Sequence, residues 1–185
     1  MTDIAALKEV LERAQRLGTL GDRPIDEVIA HARNFVAALE GISGRVIDIG
    51  TGAGVPGLII AYDRPDFHVV LADRRATRMD ELTRAVKSLG WTNSVEVLTA
   101  DLEDLGRDPR HSGSYDAVVA RGFGPPENTL RCARPLLKTE GILVVSEPPE
   151  PQADRWPKTL CESLGFSEPQ YLQGVGMFHV EHSPF

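Results

Sequence analysis

The sequence predicts an α/β fold: a mostly parallel seven-stranded sheet with an antiparallel strand at its C-terminal end, preceded by two helices. Three observations predict it. Residues 45–58, RVIDIGTGAGVPGL, read as a buried strand, a glycine turn and the start of a helix. Downstream, short apolar runs alternate with segments of helical periodicity, the pattern of a parallel sheet with crossover helices. After the last predicted helix come two short strand-like runs, 170–172 and 177–180, able to close the sheet as a hairpin.

Residues 3–17 read as the first helix, because Ile4, Leu7, Val10, Leu11, Ala14 and Leu17 recur at helical spacing. Gly18 to Asp22 breaks it. Pro24 opens the second helix, with Asp26 and Glu27 in the first turn, where acids suit the helix dipole. Its apolar face is Ile25, Val28, Ile29, Ala32, Phe35, Val36 and Leu39. Residues 1–40 are therefore expected to form a helical extension packed on a domain spanning 41–185. Within that domain strands are predicted at 46–49, 68–72, 95–98, 115–120 and 142–146. Helices are predicted from 58, over 77–89, 127–137 and 158–164, and a loop over 106–114. No internal repeat is visible.

The chain has 185 residues, 42% of them hydrophobic, enough for one domain with a real core. It has no apolar run of the roughly 18 residues that would span a bilayer. The charged N-terminus, MTDIAALKEVLERAQ, lacks a signal-peptide core. A cytoplasmic protein is expected, without membrane contact and as a monomer. Cys132 and Cys161 fall in predicted helices, where structural burial is the simplest role. The net charge of −7 argues against strong non-specific nucleic-acid binding. The one basic stretch, Arg74, Arg75, Arg78, Arg84 and Lys87, reads either as an RNA phosphate contact or as a solvated helix face balanced by Asp80 and Glu81.

The glycine spacing fits two motifs. Gly52, Gly54 and Gly57 satisfy the dinucleotide fingerprint G-x-G-x-x-G. Gly50, Gly52 and Gly54 satisfy D-x-G-x-G-x-G, led by Asp48, which resembles motif I of class I S-adenosylmethionine (SAM) methyltransferases. An acid before the first glycine suits an ammonium group and repels a pyrophosphate, so SAM is favoured over a nicotinamide cofactor. Asp73 ends the second strand about 20 residues past the turn, where an acid can accept from a ribose cis-diol. Residues 99–103 and the segment ARGFGPP after the fourth strand also fall on the ligand edge of a parallel sheet. His179 and His182 lie three apart, so in an extended strand they would face opposite ways, and two ligands are too few in any case; no metal site is expected. No acid–base or nucleophile constellation stands out.

These residues together resemble the RsmG (GidB) family of small-subunit ribosomal RNA guanine-N7 methyltransferases. The similarity runs from about Ile25 to Pro148. It is carried by IDIGTGAGVPGL, RPD before the second strand, LAD at its end, LED at 102–104 and VVARGFGPP. His31 matches a histidine the family places on the helix before motif I. The resemblance implies a Rossmann-like class I methyltransferase fold, SAM as cofactor, and ribosomal RNA in the small subunit as partner. It implies SAM contacts at Gly50 and Val55, adenine-side contacts at Leu102 and Glu103, and Arg121 lining the substrate or the SAM carboxylate. Asp48 and Asp73 join this set on the physical argument, and Gly52 and Gly54 complete the turn.

The chain departs from the family at three places, each making the ligand edge less basic. Thr77-Arg78 stands for a Lys-Arg pair, Asp101 for an arginine, and Glu147-Pro148 for a lysine and glycine. Guanine N7 carries a lone pair and no proton, so methylating it requires positioning and electrostatic support rather than a base. Arg121 is the expected catalytic residue, with Phe123 stacking on the guanine. The rivals are a SAM enzyme acting on a small molecule, favoured by the acidic charge, and a SAM-binding module without turnover.

Overall fold

The computed structural model describes residues 3–150, 152 and 154–181. Helix α1 (Ile4–Arg16) is capped by Asp3, whose side chain accepts from Ala5 N at 3.1 Å. Helix α2 (Ile25–Ala38) follows. The sheet then forms from β1 (Arg45–Ile49), β2 (His68–Asp73), β3 (Val95–Thr99), β4 (Tyr115–Ala120), β5 (Leu137–Ser146), β6 (Gln170–Leu172) and β7 (Val175–His179). Helices α3 (Gly57–Asp63), α4 (Ala76–Ser88), α5 (Leu102–Arg107), α6 (Pro126–Ala133) and α7 (Lys158–Ser163) connect them.

The strand order is β3-β2-β1-β4-β5-β7-β6. Pairing from β3 through β5 is parallel, while β7 runs antiparallel to both β5 and β6. The chain starts at β1, winds outward to β3, then returns to β4 on the other side of β1. That reversal opens a crevice at the C-terminal ends of β1 and β4, where open α/β sheets bind ligands.

Strand period sorts the core into two layers. Val46 points into a layer with Leu7, Phe35 and Leu58, built from α1 to α4. Ile47 and Ile49 point to the other layer, with Leu105, Leu130 and Phe166 from the α5–α7 side. Both faces of β1 are covered, which is why its sequence reads as a continuous apolar run. Asp48 is the exception, and it lies on the α3 side. Helix α2 is tied down by polar contacts at its C-terminal half. Arg33 forks onto Asp63 of α3 at 2.8 and 3.1 Å, and Asn34 Nδ2 donates to Gln173 O at 2.7 Å.

The structure departs from the predicted elements in four places. The helix expected over 127–137 stops at Ala133, since Pro135 within a 3-10 turn (Arg134–Leu136) cannot continue an α-helix. Strand β5 consequently starts at Leu137 rather than at 142, pairing Leu137 with Tyr115 before an irregularity in register. Its exposed segment Lys138, Thr139 and Glu140 carried no strand signal. The stretch after β3, where the sequence predicts no helix and a loop over 106–114, forms α5. Asp101 Oδ1 caps it by accepting from Glu103 N at 2.9 Å, and Leu102 and Leu105 bury on one side. The last strand is Val175–His179, with Val180 held only by a bridge to Phe166. Among the described residues, no helix is long and apolar enough to cross a membrane.

Gly57 is where α3 presses against the sheet. A Cβ there would collide with Leu71 Cδ2 and lie 2.9 Å from Asp48 Oδ2. Gly57→Ala should therefore destabilise the chain by about 1–3 kcal/mol, as overpacking does. Urea unfolding would measure it, and an unchanged midpoint would contradict this tight packing.

Candidate active site

The turn after β1 is organised by a buried carboxylate. Asp48 is fully buried, and its Oδ2 accepts from Thr51 Oγ1 at 2.7 Å and from Gly57 N at 2.9 Å. The first bond holds the turn and the second holds the start of α3. Asp48 Oδ1 is buried without a partner. Burial pushes the Asp48 carboxyl up to about 6, against the two hydrogen bonds and the facing charge of Arg121, which pull it down.

Gly50 adopts φ +64°, which glycine takes without strain. Phe123, from the segment after β4, lies over it, and a Cβ on Gly50 would come within 2.6 Å of the ring. Gly54 has a different reason to be glycine. A Cβ there would meet Leu58 and Leu82 at 2.7–2.8 Å, so this residue serves helix packing.

A cavity of about 510 Å³ opens at the strand ends. Gly50 supplies its β1 side, Asp73 and Arg75 its β2 side, Leu102 and Glu103 its β3 side, and Phe123 its β4 side. Ligand pockets commonly occupy roughly 300–1,000 Å³. Four residues singled out in the sequence, Gly50, Asp73, Leu102 and Glu103, thus line the same cavity. Asp48, Gly54 and Val55 do not. Val55 is 2% exposed within the apolar layer, and Asp48 lies beneath the turn. Gly52 reaches the site through its backbone, donating to Asp73 Oδ2 at 3.2 Å.

Asp73 is itself almost buried, at 3% exposure. Besides Gly52 N it accepts from Arg75 N and Nε on Oδ1, each at 3.0 Å, and from Arg75 Nη2 on Oδ2 at 2.9 Å. Burial pushes its pKa up, and these donors more than reverse that, leaving the carboxyl below its ordinary value. Arg121 stands apart from this wall. Desolvation lowers its pKa most, with Asp48 opposing and Arg23 reinforcing the shift. An arginine remains a cation even so. His31 of α2 faces the same group: burial first, then Arg121 and Arg23, lower its pKa.

Two of the chain's family departures have structural explanations. Asp101 caps α5. Glu147 accepts from Arg155 Nη1 at 2.9 Å and Trp156 Nε1 at 2.7 Å, fixing the segment after β5. The basic stretch on α4 is partly neutralised, since Arg13 and Arg84 both pair with Glu81 and Arg75 with Asp73. Sequence reading did not assign Arg75, Asn128 or Cys132 to the cavity. The second arginine after the LAD motif was the available signal for Arg75. Both cysteines are free and buried. Among the described residues no group of three or more potential ligands could hold a metal, and His182 lies outside those residues.

A family model described as rRNA small subunit methyltransferase G (GidB) matches residues 5–153. The chain is 36% identical over 155 residues to the ribosomal RNA small subunit methyltransferase G of Mycobacterium marinum, covering 82% of this chain and 67% of that one. It is 34% identical over 107 residues to the protein of the same name from Moorella thermoacetica, covering 58% and 44%. With the Desulfitobacterium hafniense protein identity is 33% over 132 residues, covering 71% and 55%. The chain thus spans about half to two thirds of these relatives. A predicted O-methyltransferase from Agrobacterium tumefaciens superposes with a TM-score of 0.60 at 19% identity, covering 76% of this chain and 74% of that one. The antibiotic-resistance methyltransferase Kmr superposes with a TM-score of 0.62 at 17% identity, covering 82% and 93%. The fold is that of the class I methyltransferases, as the sequence predicts.

The raised pKa of Asp48 fixes the sign of a pH effect. The folded chain keeps a proton that an ordinary aspartate, near 3.8, has released. This contribution is full below pH about 4 and is lost as pH rises through about 6. Asp48→Asn keeps an acceptor for Thr51 and Gly57 and removes the charge. Its melting temperature relative to the parent should therefore rise by a few degrees from pH 4 to pH 7, since about 1 kcal/mol corresponds to about 2–4 °C at this size. Calorimetric scans across that range would check it, and a constant difference would refute it.

Proposed function

The chain belongs to the GidB family of ribosomal RNA small subunit methyltransferases, and from that premise we propose that it transfers a methyl group from SAM to N7 of a guanine in small-subunit ribosomal RNA. The observation that carries this reading is the cavity at the β1/β4 reversal, with Gly50, Asp73, Leu102 and Glu103 on its wall. Its volume and its carboxylate acceptors suit the cofactor. Asp73 suits the ribose diol, Leu102 the adenine face, and Glu103 with nearby backbone groups the adenine edge. The turn at Gly50, Gly52, Gly54 and Val55 shapes the methionine side, with Asp48 acting beneath it by holding that turn in place. When bound, SAM supplies an electrophilic methyl group on a sulfonium.

What the chain contributes is positioning. Phe123 offers a ring at the mouth of the cavity for a base to stack on. Arg121, held half-buried opposite Asp48, is a fixed cation beside the site and serves as a hydrogen-bond donor to the guanine. Preorganised charge in a partly dry site acts more strongly than in water. No side chain has to remove a proton, because N7 has none.

A second reading, a small-molecule acceptor, is favoured by the net charge of −7 and by Asp101 and Glu103 at the cavity. The test is transfer of labelled methyl from SAM to unmethylated small ribosomal subunits, to naked RNA and to a metabolite extract. Label in RNA at a site cleaved by reduction and aniline, which marks N7-methylguanine, would support the first reading. Label only in the extract would overturn it.

Arg121→Ala should lower kcat by about 100-fold, the scale of losing one preorganised donor, while SAM affinity changes only a few-fold. Steady-state kinetics with binding calorimetry would separate the two, and equal losses would contradict a role toward the acceptor.

A further inference from the structure

A SAM ribose seated in the cavity would meet a conflict at Asp73. A carboxylate offers about four lone-pair positions. On Asp73 all four are taken. Oδ1 accepts from Arg75 N and Nε, and Oδ2 from Arg75 Nη2 and Gly52 N. A ribose diol has nothing left to donate to while this arrangement stands.

The four donors are not equally fixed. Gly52 N belongs to the motif turn, and Arg75 N sits at the start of α4, so both are held by backbone structure. The guanidinium is on a flexible stem and is 51% exposed. It alone can leave. It also presents two N–H groups in a fork, one to each carboxylate oxygen, the number and spacing of donors that a cis-diol presents.

Resting on the SAM reading of the cavity, we propose that Arg75 is a specificity- and affinity-determining residue that occupies the ribose subsite of its own chain, and that the cofactor binds by exchanging two ribose O–H donors for the two donors of the fork. Each oxygen of Asp73 loses one hydrogen bond and gains one, so the carboxylate stays satisfied in both states. The released cation faces Asp101 and Glu103, which line the same cavity and receive it. Cofactor affinity is therefore weaker than the cavity would otherwise give, and the exchange confines tight binding to ligands that carry both hydroxyls. High salt, which weakens the ion pair, favours the exchange.

The test is calorimetric titration of the full chain, as parent, Arg75→Met and Arg75→Lys, with S-adenosylhomocysteine and its 2′-deoxy analogue at low and high salt. Arg75→Met should bind S-adenosylhomocysteine roughly tenfold more tightly, the scale of one charge-assisted fork at a half-exposed group. The deoxy analogue should gain much less, because it cannot replace both donors. Arg75→Lys, which keeps the charge without the fork, should fall between, and it carries the test should the methionine variant fold poorly. The parent should bind more tightly as salt rises, and Arg75→Met should not. Equal or weaker binding by both variants, or an equal gain for the deoxy analogue, would overturn the inference alone. Absence of binding by all three proteins would overturn the cofactor reading and the inference with it.

Discussion

The site depends on one buried carboxylate. Asp48 joins β1, the glycine turn and the first residue of α3 through a single oxygen, taking one hydrogen bond from each of the last two. Burying a charge is costly unless it is hydrogen-bonded, so this arrangement holds only while the turn keeps its shape. The surrounding glycines follow from it. Gly57 leaves the α3 backbone close enough to donate, and Gly50 leaves room for Phe123 to lie against the turn. A strand, a helix and the segment after β4 are thereby fixed relative to one another, and with them Gly50 and Phe123, which line the cavity.

Charge at the ligand edge is arranged in compensated pairs. Asp73 is covered by Arg75, Glu147 by Arg155 and Trp156, and Glu81 by two arginines. Arg121 differs. It is half-buried, faces Asp48, and is flanked by Arg23 and His31 from the N-terminal region. The residues before β1 therefore bring charge close to Arg121 as well as apolar cover for the sheet. A chain of net charge −7 thus carries a local, half-buried cation beside the cavity.

Much of the fold was legible. Strands β1 to β4 lie within a residue or so of the predicted runs, because buried parallel strands are short, apolar and bounded by turn residues. The misreadings share a cause. Helix α5 is one and a half turns long, too short for periodicity to show, although Asp101 before Leu102 was a usable cap signal. The early start of β5 rests on Lys138, Thr139 and Glu140, whose polar side chains give no strand pattern and which lie in the register irregularity between the Leu137 and Ile142 pairs. Of the candidate site residues, Gly50, Asp73, Leu102 and Glu103 line one cavity, whereas Val55 and Gly54 are packed inward.

The sequence by itself determined the glycine turn, the acid at the end of β2, the parallel character of the sheet and the family, since each is written in neighbouring residues and follows from local sterics and hydrogen-bonding preference. Only the tertiary structure decided how those groups are used. It put Asp48 beneath the turn rather than on the wall, filled every lone pair of Asp73 from Arg75 and Gly52, and brought Arg23 and His31 to face Arg121. Burial and hydrogen-bond satisfaction are sums over everything packed around an atom, including residues far away in the chain, and no local pattern contains them.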